Sequence, residues 1–346
     1  MQPIFVGLAG LTISDEERAL FRSADPAGYI LFKRNVDTPE QVRALTDALR
    51  DLAGRDLPIL IDQEGGRVAR LRPPHWPEFP AGERFDHLYQ RAPITAIEAA
   101  RLNALALAAM LKGLGITVDC LPLLDVRDQQ GHDIIGDRSY GTSPMQVAAL
   151  GRATLAGLQA GGVVGVVKHI PGHGRAKADS HLELPVVDAS RAELERDLEP
   201  FRTLNDAPMA MTAHVTYTAL DPARCATLSP TVIGLIRHDI GFDGLLMSDD
   251  IGMHALGNPA AGGLPAGSNA LQDFGARGLA CLDAGCDIVL HCSGDFAEMR
   301  ALVEAMPAIG ADAARRLDAA MRWAGAGDAT PAGEWAAARD ALLGMA

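Results

Sequence analysis

The sequence predicts an α/β fold around a parallel sheet, because short apolar runs alternate with segments of helical period along the whole chain. Eight such runs occur, and eight strands close a (β/α)8 barrel; a chain of 346 residues lies within the size range of that architecture. We therefore expect a single (β/α)8 TIM-type barrel domain over residues 1–346. The alternative is an open, doubly wound sheet.

The predicted strands are short runs rich in Val, Ile, Leu and Met. They lie at residues 3–9, 28–32, 57–62, 116–122, 163–168, 208–213, 243–248 and 286–291. No Gly-x-Gly-x-x-Gly motif follows an early strand, so the dinucleotide-binding form of the open sheet has little support.

Capping residues mark several helix starts between these strands. Thr38 is a candidate N-cap, with Pro39 at the first helical position and Gln41 at the capping-box position. Ser190 opens a second capping box, and Ser229 precedes another start. Further helices are expected at 95–112, 144–160, 269–284 and 296–306. Residues 257–268 form a Gly- and Pro-rich insertion, and residues 324–346 a surface helix or tail.

The composition is that of a soluble globular protein, with 48% hydrophobic and 22% charged residues. A net charge of −13 argues against nucleic acid or an anionic membrane surface as a partner. No apolar run approaches the length of a membrane span, and the N-terminus lacks the basic region of a signal peptide. These features favour a cytoplasmic protein and are compatible with a monomer.

Five cysteines, an odd number at irregular spacing, occur mostly in apolar segments. This pattern predicts buried thiols in a reducing compartment, and it supports neither a disulfide framework nor a zinc site.

The richest stretch follows the fifth predicted strand. Lys168 and His169 end that strand, and Pro-Gly then begins a loop that carries His173, Asp179 and His181. Charged and titratable groups at the end of an apolar strand are costly to bury unless they are paired or used.

Functional residues of a (β/α)8 barrel lie at the C-terminal ends of its strands. The candidates found there are Asp62, Glu64, Arg67, Arg70, Asp125, Arg138, Lys168, His169, His214, Asp249, Asp250 and His291. Each alone is more often a cap, a surface ion pair or a satisfied core histidine. Acidic, basic and imidazole groups together at the same ends favour a catalytic site.

These residue types fit the hydrolysis of a glycosidic bond. That reaction needs a carboxylate to attack or stabilise an oxocarbenium-like centre and a proton donor for the leaving oxygen. An Asp at a strand end is a rigidly placed nucleophile. His181 lies two residues from Asp179, whose carboxylate can hold it in one tautomer, and an imidazole suits acid/base work near neutral pH.

A metal-dependent hydrolase is the competing interpretation. His169, His173, His181 and Asp179 could form a ligand cluster. Their spacing is not that of the His-Glu-x-x-His class, however, and no Cys pairs accompany them. The metal interpretation is therefore weaker than the glycosidase one.

Several motifs in order along the chain resemble the bacterial β-N-acetylglucosaminidases of glycoside hydrolase family 3, of the single-domain type used in peptidoglycan recycling. The matching segments are Asp62-Gln-Glu-Gly-Gly-Arg-Val-Ala-Arg70, Gly136-Asp-Arg-Ser-Tyr140, Lys168-His-Ile-Pro-Gly-His-Gly174, Asp179-Ser-His181 and Ser248-Asp-Asp250. The family fold is a (β/α)8 barrel, in agreement with the strand count.

The resemblance implies a retaining enzyme that removes β-linked N-acetylglucosamine from anhydro-N-acetylmuramic acid, without a metal or organic cofactor. By resemblance, Asp249 is the nucleophile, and His181 is the acid/base residue paired with Asp179. The resemblance also implies that the sugar is bound by Asp62, Arg70, Arg138, Lys168 and His169.

The chain departs from the family pattern at two places. Ile251-Gly-Met-His-Ala stands where Leu-Ser-Met-Glu-Gly is usual, and the insertion 257–268 lengthens the loop after the seventh strand. Three alternatives stay open: a phosphorylase, which a histidine acid/base allows, a metal hydrolase on the same barrel, and a catalytically silent sugar-binding barrel.

Overall fold

The fold is a closed barrel of parallel strands surrounded by helices. The computed structural model describes residues 1–128, 131, 133–177, 184–253, 256 and 274–344. In this part of the chain, eight strands close the barrel and two more form a separate pair. The predicted (β/α)8 TIM-type fold is confirmed.

The ten strands are β1 (Gln2–Val6), β2 (Pro26–Leu31), β3 (Ile59–Ile61), β4 (Val118–Asp119), β5 (Val164–Ile170), β6 (Val186–Val187), β7 (Met209–Thr212), β8 (Thr216–Tyr217), β9 (Leu245–Asp250) and β10 (Ile288–His291). Around the barrel the order is β1, β10, β9, β7, β5, β4, β3, β2, and β2 pairs with β1. β6 and β8 pair only with each other.

The barrel strands fall on the eight predicted runs, and the fourth is shorter than expected. β4 ends at Asp119 because the chain soon reaches Pro122, which has no N–H to donate. The carbonyl groups of Leu121 and Pro122 still accept hydrogen bonds from Val166 and Lys168 of β5. The β6–β8 pair was not predicted.

The helices are α1 (Asp15–Ala24), α2 (Pro39–Ala53), α3 (Gly82–Tyr89), α4 (Pro93–Gly113), α5 (Pro144–Ala160), α6 (Arg191–Thr203), α7 (Pro230–His238), α8 (Phe274–Ala284), α9 (Phe296–Ala305), α10 (Ala311–Met321) and α11 (Ala332–Leu343). The predicted helices are present, with α1, α3 and α10 in addition. The first residues of the helix expected at 269–284 and the insertion 257–268 lie outside the described residues.

The capping predictions hold at Ser190 and only in part at Thr38. Ser190 and Glu193 form a reciprocal capping box at the start of α6. Thr38 accepts from the Gln41 N–H, but the Gln41 side chain accepts from the Asp37 N–H instead of closing the box.

Two apolar layers hold the fold together. The barrel interior contains alternate strand residues such as Phe5, Val166 and Met247, and the larger layer lies between the strands and the helices. All five cysteines are buried and free, as predicted.

Among the described helices, α4 alone is long and apolar enough to span a bilayer, by length and composition. The expectation that no apolar run approaches the length of a membrane span is therefore wrong for residues 93–113. Most of its apolar window is buried inside the fold, as in the core helix of a globular protein. Within the segment 324–346, the buried Arg339 of α11 donates a hydrogen bond from its guanidinium to Asn103 Oδ1 of α4 at 2.9 Å.

Candidate active site

Side-chain alternation along the strands brings polar residues into the mouth of the barrel. Successive residues of a strand point to opposite faces. On β9, Leu245 and Met247 face the interior, so Asp249 is the next residue on that face. On β5, Lys168 follows the interior residue Val166 at the same spacing. The last inward positions of the two strands therefore carry opposite charges.

These side chains line a pocket of about 400 Å³. Its polar lining residues are Arg34, Asp62, Glu64, Arg67, Arg70, Arg138, Lys168, His169, His173, Asp249, Asp250 and Ser293. Phe32, Met211 and Met253 are among its apolar lining residues. Many fixed polar groups beside a few apolar walls suit a small, highly polar ligand.

A network of ion pairs forms one wall of the pocket. Lys168 Nζ lies 3.0 Å from Asp62 Oδ1 and 2.7 Å from Glu64 Oε1. Arg70 donates to Asp62 Oδ2 at 2.9 Å, and Arg138 makes a bidentate pair with Glu64 at 2.8 Å. The Lys168 and Glu64 side chains are only 2% and 5% exposed, so this network is fixed before any ligand binds.

The charges in this wall hold one another ionised. Burial alone would raise the pKa of Glu64, but Arg138 and Lys168 lower it to about 2. Burial is likewise outweighed at Asp62, where Lys168 and Arg70 hold the pKa of the carboxyl well below its usual value. The same carboxylates raise the pKa of Lys168 against the effect of its burial.

The loop after β3 folds back to place Arg70. Gln63 is buried, and its Oε1 accepts from the backbone N–H groups of Arg70 and Leu71. Gly65 has φ 102°, and a Cβ there would lie 2.3 Å from the Pro80 carbonyl oxygen, so only glycine fits.

Asp249 and Asp250 are distinguished by their contacts. Asp249 Oδ1 accepts from the Asp250 N–H at 2.8 Å, which orients a carboxyl group in the pocket wall. Asp250 Oδ1 accepts from the N–H groups of Gly252 at 2.9 Å and Cys292 at 3.0 Å, and burial raises the pKa of this carboxyl. Asp250 therefore ties the end of β9 to the end of β10.

A chain of hydroxyl and imidazole groups holds the backbone around Asp249. The Asp249 N–H donates to Thr212 Oγ1 at 3.3 Å, and Thr212 Oγ1 lies 2.8 Å from Thr227 Oγ1. His214 Nδ1 lies 2.7 Å from Thr227 Oγ1, and its Nε2 lies 2.9 Å from the Asp250 carbonyl oxygen. That oxygen can only accept, so Nε2 carries a proton.

The direction of this chain follows from the same proton. Burial lowers the pKa of His214 and favours its neutral form, so Nδ1 is an acceptor facing the Thr227 hydroxyl, which also lies 3.1 Å from the carbonyl oxygen of Ala213. The single proton of Thr227 is directed to these two acceptors. Thr227 then accepts from Thr212, which accepts from the Asp249 N–H. The fully buried side chains of this chain thus fix the N–H of Asp249 at one end and the carbonyl group of Asp250 at the other.

A buried carboxylate orients His169. Asp125 Oδ2 lies 2.7 Å from His169 Nδ1, and its Oδ1 accepts from the backbone N–H groups of His169 at 3.1 Å and His173 at 2.7 Å. Burial would raise the pKa of Asp125, but these groups lower it to about 2. Burial, with His169 as the next cause, lowers the pKa of His173 to about 4.

Six of the predicted site residues meet in one pocket: Asp62, Arg70, Arg138, Lys168, His169 and Asp249. The predicted acid/base pair Asp179 and His181 lies outside the described residues. His214 and His291 are buried and hydrogen-bonded, as expected of core histidines. The contacts of Glu64, Asp125, Thr212 and Thr227 were not anticipated.

The loop that contains the predicted acid/base pair is anchored on both sides. Before residues 178–183, the Gly172 carbonyl accepts from Tyr217 Oη at 2.7 Å. After them, β6 pairs with β8. Both anchors lie in the same segment, 216–217, so β8 fastens the two ends of the loop.

Within the described ranges, no group of three or more His, Cys, Asp or Glu side chains is placed to hold a metal ion. His169 and His173, named in the metal interpretation, pack with their ring centroids 5.6 Å apart and share Asp125 through its Oδ1.

Comparison with known proteins identifies the family. Residues 4–322 match the model of the glycosyl hydrolase family 3 N terminal domain. A protein named Beta-hexosaminidase from Alkalilimnicola ehrlichii is 40% identical over 295 residues, which cover 84% of this chain and 80% of the relative.

Two solved structures agree with this match. The structure of NagZ from Neisseria gonorrhoeae in complex with N-trifluoroacetyl-D-glucosamine has a TM-score of 0.84 at 30% identity and covers 100% of this chain and 98% of its own. A family 3 β-N-acetylglucosaminidase from Paenibacillus has a TM-score of 0.82 at 30% identity; the match covers 98% of this chain but 66% of that longer one. The chain therefore belongs to glycoside hydrolase family 3 and is a glycoside hydrolase.

Proposed function

We propose that the protein is a retaining exo-β-N-acetylglucosaminidase in which Asp249 attacks the sugar and forms a covalent glycosyl-enzyme intermediate. The observation that carries this proposal is the position of Asp249 at the end of the interior face of β9. β9 lies four strands from β3 in either direction around the barrel, so the carboxylate faces the wall that contains Asp62. A pyranose between the two would meet a nucleophile on one side and fixed polar groups on the other.

The sugar-binding residues proposed are Asp62, Arg70, Arg138, Lys168 and His169. Their mutual ion pairs support this role, because a prearranged set of donors and acceptors needs little reorganisation when hydroxyl groups bind.

Protonation of the leaving oxygen is assigned in this proposal to His181, oriented by Asp179. The contacts of Gly172 and Val187 support it, since the described residues on both sides of 178–183 are fastened to the same strand, β8, which follows the C-terminal end of β7. Asp179→Asn is expected to lower the apparent pKa of the acid/base group and to reduce kcat. A pH–rate profile with an unchanged acid/base pKa in this variant would contradict the dyad.

The substrate proposed is N-acetylglucosamine β-linked to anhydro-N-acetylmuramic acid, with or without a peptide. Named relatives support the sugar: one is a Beta-hexosaminidase, and a NagZ structure holds N-trifluoroacetyl-D-glucosamine. The same proposal includes a role in peptidoglycan recycling and a cytoplasmic location. It also includes a monomeric state and independence from cofactors. Light scattering on the purified chain tests the monomer.

The decisive experiment is release of a chromophore from an aryl β-N-acetylglucosaminide, with excess chelator and without phosphate. Turnover by the parent and none by Asp249→Ala is expected, with both proteins equally folded by circular dichroism. Added azide is expected to restore product release by the alanine variant as an α-glycosyl azide, since the small anion occupies the position of the missing carboxylate.

Each other outcome identifies a different function. Turnover only with phosphate present, with a sugar phosphate as product, would indicate a phosphorylase. Turnover only after a divalent metal is restored would indicate the metal hydrolase. Binding of N-acetylglucosamine without turnover under any condition would indicate a sugar-binding barrel.

A further inference from the structure

His169 presents one end of its ring to the pocket, while Asp125 holds the other end. The His169 side chain is 9% exposed and lines the pocket. Its Nδ1 lies 2.7 Å from Asp125 Oδ2, and Asp125 is fully buried. Among the residues that the structure describes, none forms a hydrogen bond with His169 Nε2.

Asp125 acts as an acceptor at both of its oxygens. Its Oδ1 receives two backbone N–H groups, from His169 at 3.1 Å and His173 at 2.7 Å. An ionised carboxylate has no proton to donate. The proton in the contact with Oδ2 must therefore belong to His169 Nδ1.

The position of that proton determines whether His169 Nε2 is a hydrogen-bond donor or an acceptor in the pocket. A neutral imidazole carries one N–H and one lone pair. Since Nδ1 holds the proton, Nε2 of the neutral ring carries the lone pair. The other acceptors in this part of the pocket, Asp62 and Glu64, already receive hydrogen bonds from Lys168, Arg70 and Arg138.

We propose that Asp125 is a positioning residue that fixes the tautomer of His169, so that His169 Nε2 accepts a hydrogen bond from a hydroxyl of the bound sugar. Asp125 thereby determines specificity: the position facing His169 must carry a donor. A substrate with hydrogen or fluorine in place of that hydroxyl leaves the Nε2 lone pair unpaired. The ligand in this inference rests on the proposed function, but the tautomer does not.

The competing explanation is that Asp125 only anchors the start of the loop through its Oδ1. Asp125→Asn separates the two roles. The Asn carbonyl can keep both backbone N–H contacts, while its NH₂ group faces His169 Nδ1 as a donor. The neutral ring then moves its proton to Nε2, and the group facing the sugar changes from acceptor to donor.

The first test needs no substrate. Histidine-selective ¹⁵N NMR of the whole enzyme, with the His169 signals assigned by their loss in His169→Gln, reports which nitrogen is protonated at the alkaline end of a pH series. We expect the proton on Nδ1 in the parent and on Nε2 in Asp125→Asn. A proton on Nε2 of neutral His169 in the parent would overturn the inference, even if the variant fails to fold.

The second test uses the aryl β-N-acetylglucosaminide and its 3-, 4- and 6-deoxy and deoxyfluoro analogues. For one position, we expect both analogues to lose 10- to 100-fold in kcat/KM with the parent. With Asp125→Asn, kcat/KM for the fluoro analogue at that position should rise at least several-fold relative to kcat/KM for the deoxy analogue. Comparing two enzymes on the same substrate pair cancels the inductive effect of fluorine.

The outcomes distinguish this inference from the proposed function. An unchanged fluoro-to-deoxy ratio at every position would overturn the specificity role and leave Asp125 as a loop anchor. No turnover of the aryl glycoside by the parent would defeat the proposed function, while the NMR result would still decide the tautomer.

Discussion

The two walls of the pocket are held in place by different means. The charged wall consists of Asp62, Glu64, Arg70, Arg138 and Lys168, which are joined by ion pairs of 2.7 to 3.0 Å. The β9 wall consists of Asp249 and Asp250, held by the chain Thr212–Thr227–His214 and by backbone N–H groups. The first depends on ion pairs between charged side chains, and the second on hydrogen bonds to uncharged side chains and backbone N–H groups.

The difference fits the roles proposed for the two walls. Neutral sugar hydroxyls bind well to a wall whose charged groups are already paired with one another. A nucleophile must keep its own negative charge, so neutral groups are the suitable means of fixing its backbone. The charged wall should therefore govern stability and sugar binding, and the β9 wall should govern turnover.

Asp249→Asn should produce the largest effect. An amide of the same size keeps the contact with the Asp250 N–H but cannot form the glycosyl-enzyme intermediate, so kcat should fall on the order of 10³-fold or more. Asp250→Asn is the matched control, because an amide oxygen can still accept from Gly252 and Cys292. Initial rates on the aryl glycoside measure both. Equal losses in the two variants would contradict the assignment of Asp249.

Glu64→Gln tests the charged wall. Loss of this carboxylate leaves Arg138 without its bidentate partner and Lys168 with Asp62 alone, and removal of one partner from a buried ion pair costs about 3–5 kcal/mol. We expect the free energy of unfolding in urea to fall by about 3 kcal/mol and KM to rise.

The rim pair Arg67–Asp137 provides the control for that prediction. Its side chains are 41% and 38% exposed, and pairs of this kind contribute less than about 1 kcal/mol. If Asp137→Asn destabilised the protein as much as Glu64→Gln does, burial would not explain the strength of the charged wall.

Two buried carboxyl groups, Glu64 of the charged wall and Asp125 behind His169, should also shape stability at acid pH. Glu64 and Asp125 have pKa values lowered to about 2 in the folded protein, against about 4 in an unfolded chain. Their stabilisation is complete above pH 4 and is lost as the pH falls toward 2. In that window, each group adds about 1.4 kcal/mol per pH unit to the dependence of the free energy of unfolding on pH. Unfolding midpoints of the parent and Glu64→Gln from pH 6 to 2 measure this, and equal slopes would contradict it.

Much of the architecture could be predicted because each barrel strand has a local sequence pattern that identifies it. A buried parallel strand is a short apolar run, and eight of them specify the barrel. α1 was not predicted, although Ser14 and Glu17 have the spacing of the capping box that they form in the structure. The β6–β8 pair could not be predicted, because Val186–Val187 and Thr216–Tyr217 are too short to show a period.

Asp62, Lys168 and Asp249 could be predicted because they lie at or directly after the ends of strands, whereas Arg70 and Arg138 lie farther along the loops after β3 and β4 and were predicted from their motifs. Strict alternation also explains why Asp249, and not Asp250, continues the interior face after Leu245 and Met247. The supporting contacts could not be predicted. Asp125 lies 44 residues from His169, and Thr227 lies in a single-turn 3-10 helix, Ala226–Leu228, whose position depends on the whole barrel.

Thr227→Val should have the smallest of these effects, and it tests the β9 wall most directly. Valine fills the same space but can neither donate to His214 nor accept from Thr212, which breaks the chain at its centre. Thr227→Ser keeps the hydroxyl and serves as the matched control. We expect valine to lower kcat about tenfold with little change in KM, corresponding to about 1.4 kcal/mol of lost transition-state stabilisation. Serine should restore most of the rate.

Since valine also leaves buried polar groups unpaired, the thermal midpoint of both variants must be measured. Equal losses of kcat in the serine and valine variants would mean that packing at this position matters and the hydrogen-bond chain does not. A rise in KM without a change in kcat would place Thr227 in support of sugar binding and would remove the distinction between the two walls.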